Sequence, residues 1–315
     1  MELLGEYLMK VVSYLSSIPG KDRGKVTEKT QILENFAKGV SAAGDEIIQH
    51  SGDYITSDVA VIQGWVHANS GNSSHLALRK KVIRNQIAQR KIVITADSNL
   101  FLYKVGKANA PHHYLRYSAN DVFPTTGNYF WTDPDPKRWQ QISQDLGITV
   151  KDWNTKGKHI LICLQRNGGW SMGGLDSIQW CTDTINQLRQ YTDRTIVIRC
   201  HPGDKKTAQR LRLNLTNVKI SNAPLITDDL QKAWATITYN SSPGIASAIE
   251  GIPVFVTDPN PKTSQAYDIA NTDLSKIESP KTFDREQWLN KLAMCHWNFS
   301  ELASGAAWTH MRKFI

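Results

Sequence analysis

The chain has 315 residues and a formal net charge of +8, with 40% hydrophobic and 21% charged residues. That length suits two domains of about 150 residues, each able to bury a core. Ten Trp, ten Tyr and eight Phe exclude global disorder, and no apolar run reaches the roughly 18 residues of a membrane span.

The N-terminal segment is apolar in its middle, but Glu2 and Glu6 stand where a secretory leader carries cations. It is therefore expected to enter the fold directly, with a first strand over 11–15. Gly20 and Gly24 mark a loop. Residues 28–43 carry Ile32, Leu33, Phe36, Ala37 and Val40 on one helical stripe. Short strands are predicted over 46–48, 59–62 and 91–95. A basic helix over 73–90 separates the last two, with Leu76, Leu78, Val82, Ile83 and Ile87 available for packing. Residues 120–157 change character around Asp133-Pro134-Asp135-Pro136 and read as an interdomain segment carrying one helix over 136–146. A second alternation follows, with strands over 159–164, 195–199, 218–220, 235–239 and 253–256 and helices over 174–191, 204–213 and 243–250. The tail from 284 is helical and rich in Trp. Strand–helix alternation in both halves predicts an α/β protein with parallel sheets. The expected division is 1–150, 151–295 and a C-terminal helix over 296–315 that packs back on the first half.

Cys163, Cys181, Cys200 and Cys295 lack metal-ligand spacing and read as reduced core thiols of a cytoplasmic protein. The letters of Asp133-Pro134-Asp135 match a metal-binding DxD, but the proline context reads as a linker, so no metal site is expected. The charge is concentrated. Residues 59–120 hold nine cations (Arg79, Lys80, Lys81, Arg84, Arg90, Lys91, Lys104, Lys107 and Arg116) and one acid, Asp97, so this window contains the whole formal excess. Such a run is either a solvated helix face or a surface for a polyanion.

Three loops of the second half carry ligand chemistry. Asn240-Ser241-Ser242-Pro243-Gly244 follows a strand and opens a helix, with Ser242 at the N-cap position and Pro243 at the first helical position. Free N–H groups there, with the hydroxyls of Ser241 and Ser242, suit a phosphate. Arg199-Cys200-His201-Pro202 ends another strand and brings His201 to the same sheet edge, as a donor whose charge the protein can set. Gln165-Arg166-Asn167-Gly168-Gly169, after the first strand of this half, lets backbone N–H groups approach a ligand beside a positive charge. None of these is a dinucleotide or Walker A fingerprint.

Together these loops resemble the donor domain of GT-B glycosyltransferases, two Rossmann-like domains whose parallel sheets face a central cleft. The likeness is to bacterial capsule and sialic-acid-type transferases, in which an HP motif and an SS motif hold the sugar nucleotide. It covers roughly 158–315. It implies a donor site of Arg166, Asn167, Gly168, Gly169, Arg199, His201, Pro202, Ser241, Ser242 and Gly244, a nucleotide-sugar co-substrate with UDP preferred, and no required cofactor. The first half would then hold the acceptor. Its charge makes the chain similar to phage glycosyltransferases that modify 5-hydroxymethylcytosine in duplex DNA. Arg79, Lys80, Lys81, Arg84, Lys104, Lys107, His112 and His113 would contact that DNA, with Trp65, His67 and Tyr114 supporting an extruded base. On this view the enzyme is a monomer without membrane attachment, in the host cytoplasm if phage-encoded. Asp97, ending the fourth strand, is the candidate general base of an inverting reaction, with Asp22, Asp45 and Glu46 in reserve. The alternatives are a capsule or surface-polysaccharide transferase using a CMP- or UDP-sugar, and a non-catalytic nucleic-acid-binding protein.

Overall fold

The computed structural model describes residues 7–66, 71–101, 114–122, 134–154, 156–167, 170–211 and 215–315. In chain order the first half contains β1 (Lys10–Tyr14), α1 (Glu28–Ala42), β2 (Glu46–His50), β3 (Val59–Gln63), α2 (Ser74–Ala88), β4 (Ile92–Ser98), β5 (Tyr114–Ala119) and α3 (Pro136–Leu146). The second half runs β6 (His159–Cys163), α4 (Ser177–Leu188), β7 (Thr195–Arg199), α5 (Lys205–Arg210), β8 (Val218–Ile220), α6 (Ile226–Leu230), β9 (Ala233–Thr238), α7 (Pro243–Ile249), β10 (Val254–Val256) and β11 (Ala270–Asn271). The tail adds α8 (Glu286–Ala293), β12 (His296–Asn298), α9 (Phe299–Ala303) and α10 (Ala306–Met311). The chain divides into two compact units: residues 1–99, 105–139 and 291–315 form the first, and 100–104 with 140–290 the second.

The first unit is built on a six-stranded sheet of order β12-β5-β4-β3-β1-β2. β1, β2, β3 and β4 pair in parallel, while β5 is antiparallel to both β4 and β12. The antiparallel pair β5–β12 departs from the expected reading, in which residues 114–119 had no strand and the tail was helical. Leu115 and Tyr117 of β5 point into the core, and Tyr114 is also fully buried. Tyr114 is therefore a packing residue and not a base-stacking one, and Trp65, 9% exposed, is buried as well.

The tail completes this core. Trp308, Met311 and Leu302 pack with Ile32, Leu33, Phe36 and Val40 of α1. Trp308 meets Phe36 edge-on at 5.7 Å and donates its indole N–H to Asp45 at 2.7 Å. The same carboxylate pairs with Arg312 at 2.8 Å, so Asp45 anchors the C-terminus and is unavailable as a reserve base. Glu46 pairs in register with Lys10 at the amino end of the sheet, the wrong edge for that role. Asp22 is tied to Lys29 at 2.8 Å. α1 and α9 approach so closely that a Cβ on Gly39 would stand 1.9 Å from the Leu302 carbonyl oxygen.

The second unit carries a wholly parallel sheet of order β11-β10-β9-β6-β7-β8. α4 covers it through Trp180, Cys181, Ile185 and Leu188, which pack on Ile160, Ile162, Ile196 and Ile198. Runs of β-branched residues on the central strands fit a sheet covered on both faces. No helix among the described residues is long and apolar enough to cross a membrane.

Candidate functional site

In an open parallel sheet, ligands bind beyond the carboxyl ends of the strands where the strand order reverses. In the second unit that point lies between β6 and β9: the chain passes from β6 through β7 to β8 on one side, then returns to pair β9 on the other. The loops after β9, β6 and β7 are therefore consecutive along one edge. These are the serine pair, the glycine-containing segment and the His-Pro element picked out in the sequence.

A buried polar network joins two of them. The parallel register of β6 with β9 matches Cys163 to Thr238 and sets Gln165 beside Asn240. The Asn240 backbone N–H donates to Gln165 Oε1 at 3.1 Å, and Gln165 Nε2 donates to Asn240 Oδ1 at 3.0 Å. Asn240 Nδ2 lies 2.9 Å from the Ser171 carbonyl, 2.8 Å from Asp258 Oδ2 and 3.2 Å from Thr263 Oγ1. Loops after β6, β9 and β10 are thus pinned through one amide. Sequence reading placed Gln165 in its loop without giving it a role, and missed Asp258 and Thr263. Their one signal is position: Gln165 and Asp258 are polar residues just past the ends of apolar strands.

Beside this network, Ser241 Oγ is enclosed and has no hydrogen-bond partner among the described residues, whereas Ser242 is exposed. The first helical N–H groups are not free. Gly244 N donates to the Ser241 carbonyl at 3.1 Å and Ile245 N to that of Ser242 at 2.9 Å. Gly244 is buried, and a Cβ there would meet Val254 and Ala266 at 3.2 and 3.3 Å. Close helix–strand packing accounts for a glycine at this position without a ligand.

The His-Pro element is held from both sides. His201 Nδ1 accepts from Gly203 N at 3.0 Å, which places the proton of a neutral ring on Nε2. Burial, and then the nearby Arg166 guanidinium, hold the imidazole below its usual pKa. His201 is therefore a neutral Nε2–H donor at pH 7, and the local positive charge belongs to exposed Arg166. Pro202 is exposed on the same turn.

Two further residues expected at the donor site are engaged within the protein. Arg199 donates to Asp229 at 2.6 Å and to the carbonyls of Ala223, Leu225 and Pro224 at 3.1–3.3 Å, so it organises the segment before α6. Asn167 donates its backbone N–H to Asp204 at 2.8 Å and its amide to Asp176 at 3.1 Å, and accepts from Ser177 N at 3.2 Å. It positions the loop. N–H donation from Thr207 and Asn167 holds the Asp204 carboxyl below its usual range. Gly168 and Gly169 lie outside the described residues.

In the first unit, Asp97 sits at the carboxyl end of β4 as expected. Its Oδ2 accepts from Arg116 of β5 at 2.8 Å, and its Oδ1 from Ser98 N at 2.8 Å. The basic window is internally compensated to a degree that counting cations does not reveal. Arg79 is 6% exposed and turned inward to the Ser17 carbonyl and Gln63, so it is not part of an exposed cationic helix face that could track a duplex backbone. Lys81 pairs with Asp53, Lys91 with Asp58 at 3.7 Å and Arg116 with Asp97. Lys80 is half-buried and donates to Asn72 at 3.4 Å, while Arg84 is exposed. Lys104, Lys107, His67, His112 and His113 lie outside the described residues. The buried face of α2 is Arg79, Val82 and Gln86, and Ile87, expected to pack, is exposed. Among the described residues no group of three His, Cys, Asp or Glu side chains could hold a metal ion.

No family model and no curated protein matches this chain. Solved structures define the class of fold: two successive Rossmann-like α/β units, as in GT-B proteins. The β-Kdo 2,4 transferase KpsC of Thermosulfurimonas dismutans is similar at 16% identity, with 92% of this chain and 90% of that one covered and a TM-score of 0.56. The β-Kdo 2,7 transferase KpsC of the same organism aligns at 11% identity over 95% and 99% of the two chains, TM-score 0.48. The UDP-GlcNAc 2-epimerase of Methanocaldococcus jannaschii aligns at 10% identity over 98% and 99%, TM-score 0.34. The likeness to the β-Kdo 2,4 transferase shows the fold alone.

Proposed function

We propose that the protein is a nucleotide-sugar-dependent glycosyltransferase acting on a capsule or other surface polysaccharide. One observation carries the reading: the serine turn, the loop of Arg166 and the His-Pro element occupy consecutive loops at the strand-order reversal of a parallel sheet. Within them, Ser241 Oγ and His201 Nε2–H are donors suited to a nucleotide diphosphate or monophosphate, and Arg166 supplies charge. The fold shared with a β-Kdo transferase supports a capsule-type acceptor. The same fold gives a duplex-DNA acceptor no support, and the compensated cations of the first unit weaken it further.

In this reading Asp97 takes the acceptor proton, and Arg116 orients its carboxylate. Gln165 and Asn240 hold the two donor loops in register. Calorimetric titration with UDP- and CMP-sugars tests the donor site, with binding of one class expected and lost in a Ser241→Ala, His201→Ala double variant. Absence of binding by every nucleotide sugar overturns the reading. Tight, salt-sensitive binding of hydroxymethylcytosine duplex would return the DNA acceptor in place of the polysaccharide.

A further inference from the structure

Arg79 holds a position that packing alone does not explain. It projects from α2 toward the crest between β1 and β3. There the first sheet reverses its order, with β2 on one side of β1 and β3 on the other. Its Nε donates to the Ser17 carbonyl at 2.9 Å, and its Nη2 to Gln63 Oε1 at 2.8 Å. Both acceptors are neutral, and among the described residues the guanidinium forms no ion pair. Asp97, whose charge acts on it from nearby, is bonded to Arg116 instead. A buried cation without a counter-ion is unfavourable, and burial pushes the Arg79 pKa down to about 10. A tether between the two loops could be made by a neutral amide at no such penalty.

The remaining nitrogen, Nη1, faces Gly64, the first residue after β3. Gly64 has φ +71°, and a Cβ there would lie 2.9 Å from Nη1. Glycine therefore both permits the turn and leaves this nitrogen uncovered. The surroundings are electropositive: His75, one turn before Arg79 on α2, is held below its usual pKa by burial and then by Arg79, Arg23 and Lys29.

We infer that Arg79, through Nη1 at the β1–β3 crest beside Gly64, binds an oxyanion, a carboxylate or phosphate, carried by the acceptor. The acceptor is then an anionic saccharide. The word acceptor rests on the transferase reading above, but the anion site does not. The bound anion supplies the counter-charge that the described residues do not, and a guanidinium matches the oxygen geometry of either group.

The test is titration of the full chain at constant ionic strength with inorganic phosphate, with glucuronate and with neutral glucose. It is followed by calorimetry and by the side-chain Nε–Hε NMR signal of Arg79. Saturable displacement of that signal by phosphate or glucuronate, but not by glucose, is expected, and the tighter of the two identifies the acceptor's anionic group. Arg79→Lys should weaken anion binding at least tenfold while leaving nucleotide-sugar binding within twofold. If Arg79→Lys does not fold, the wild-type signal decides alone, its Nε–Hε identified by the bond to Ser17. An unmoved signal, equal displacement by glucose, or undiminished anion binding in Arg79→Lys overturns the inference. Loss of nucleotide-sugar binding in the wild type would instead overturn the transferase reading and leave the anion titration standing.

Discussion

Replacing Asn240 by alanine removes the amide that joins three loops of the second unit. The side chain is 3% exposed, so water does not take over its partners. Gln165 Nε2 loses its acceptor at 3.0 Å, and the Ser171 carbonyl and Asp258 lose donors at 2.9 and 2.8 Å. At about 1 kcal/mol net for each buried hydrogen bond, the loss sums to roughly 3 kcal/mol. For a unit of this size each kcal/mol lowers Tm by about 2–4 °C, so the unfolding of the second unit should fall by roughly 6–12 °C. Thermal unfolding followed by circular dichroism measures it, and nucleotide-sugar affinity should fall in the same variant. Asn240→Asp separates charge from hydrogen bonding. Its carboxylate would replace an amide that donates to Asp258, so repulsion raises its folded pKa above the unfolded value of about 4. The stability of that variant is then highest below the unfolded pKa and is lost as pH rises through the folded pKa. Acidification from pH 7 toward 4 should narrow its deficit relative to Asn240→Ala. A change in Tm below about 2 °C for Asn240→Ala would refute the reasoning.

Other expectations follow the same logic. Trp308→Ala should destabilise the first unit by about 3–5 kcal/mol, read by urea denaturation, because it empties a fully buried site and removes one donor to Asp45. Burial lowers the His296 pKa to about 3. As a depressed group, it contributes stability that is fully present above about pH 6.5 and is lost as pH falls toward 3. The slope is on the order of 1.4 kcal/mol per pH unit and should be absent from the urea midpoints of His296→Gln. Asp97→Asn should reduce turnover by roughly 10²–10⁴ with donor binding unchanged; full turnover would remove Asp97 from the base role.

The strands were legible where the sequence is a run of β-branched or aliphatic residues, as in Ile160–Ile162 and Ile196–Ile198, because sheet cores read as continuous apolar stretches. β5 was not, since Arg116 interrupts its apolar pattern, and only the tertiary pairing with Asp97 and the returning β12 makes it a strand. The buried face of α2 was misread for a related reason: it is occupied by Arg79 and Gln86, whose polar ends meet Ser17 and Tyr54, groups distant in sequence. The loops that carry the candidate site were legible from turn chemistry. Their connection was not, because Gln165 and Asn240 are 75 residues apart and meet only through the parallel register of β6 and β9. Counting charge located the cations, but Asp53 and Asp58, which neutralise two of them, lie outside the counted window.

Isothermal titration of the full chain with a panel of UDP- and CMP-sugars addresses the donor site itself. Saturable one-to-one binding of one nucleotide class is expected, weakened at least tenfold by Asn240→Ala and abolished by the Ser241→Ala, His201→Ala pair. Binding by none of the panel, or binding indifferent to all three substitutions, would contradict a donor site at the carboxyl edge of the second sheet.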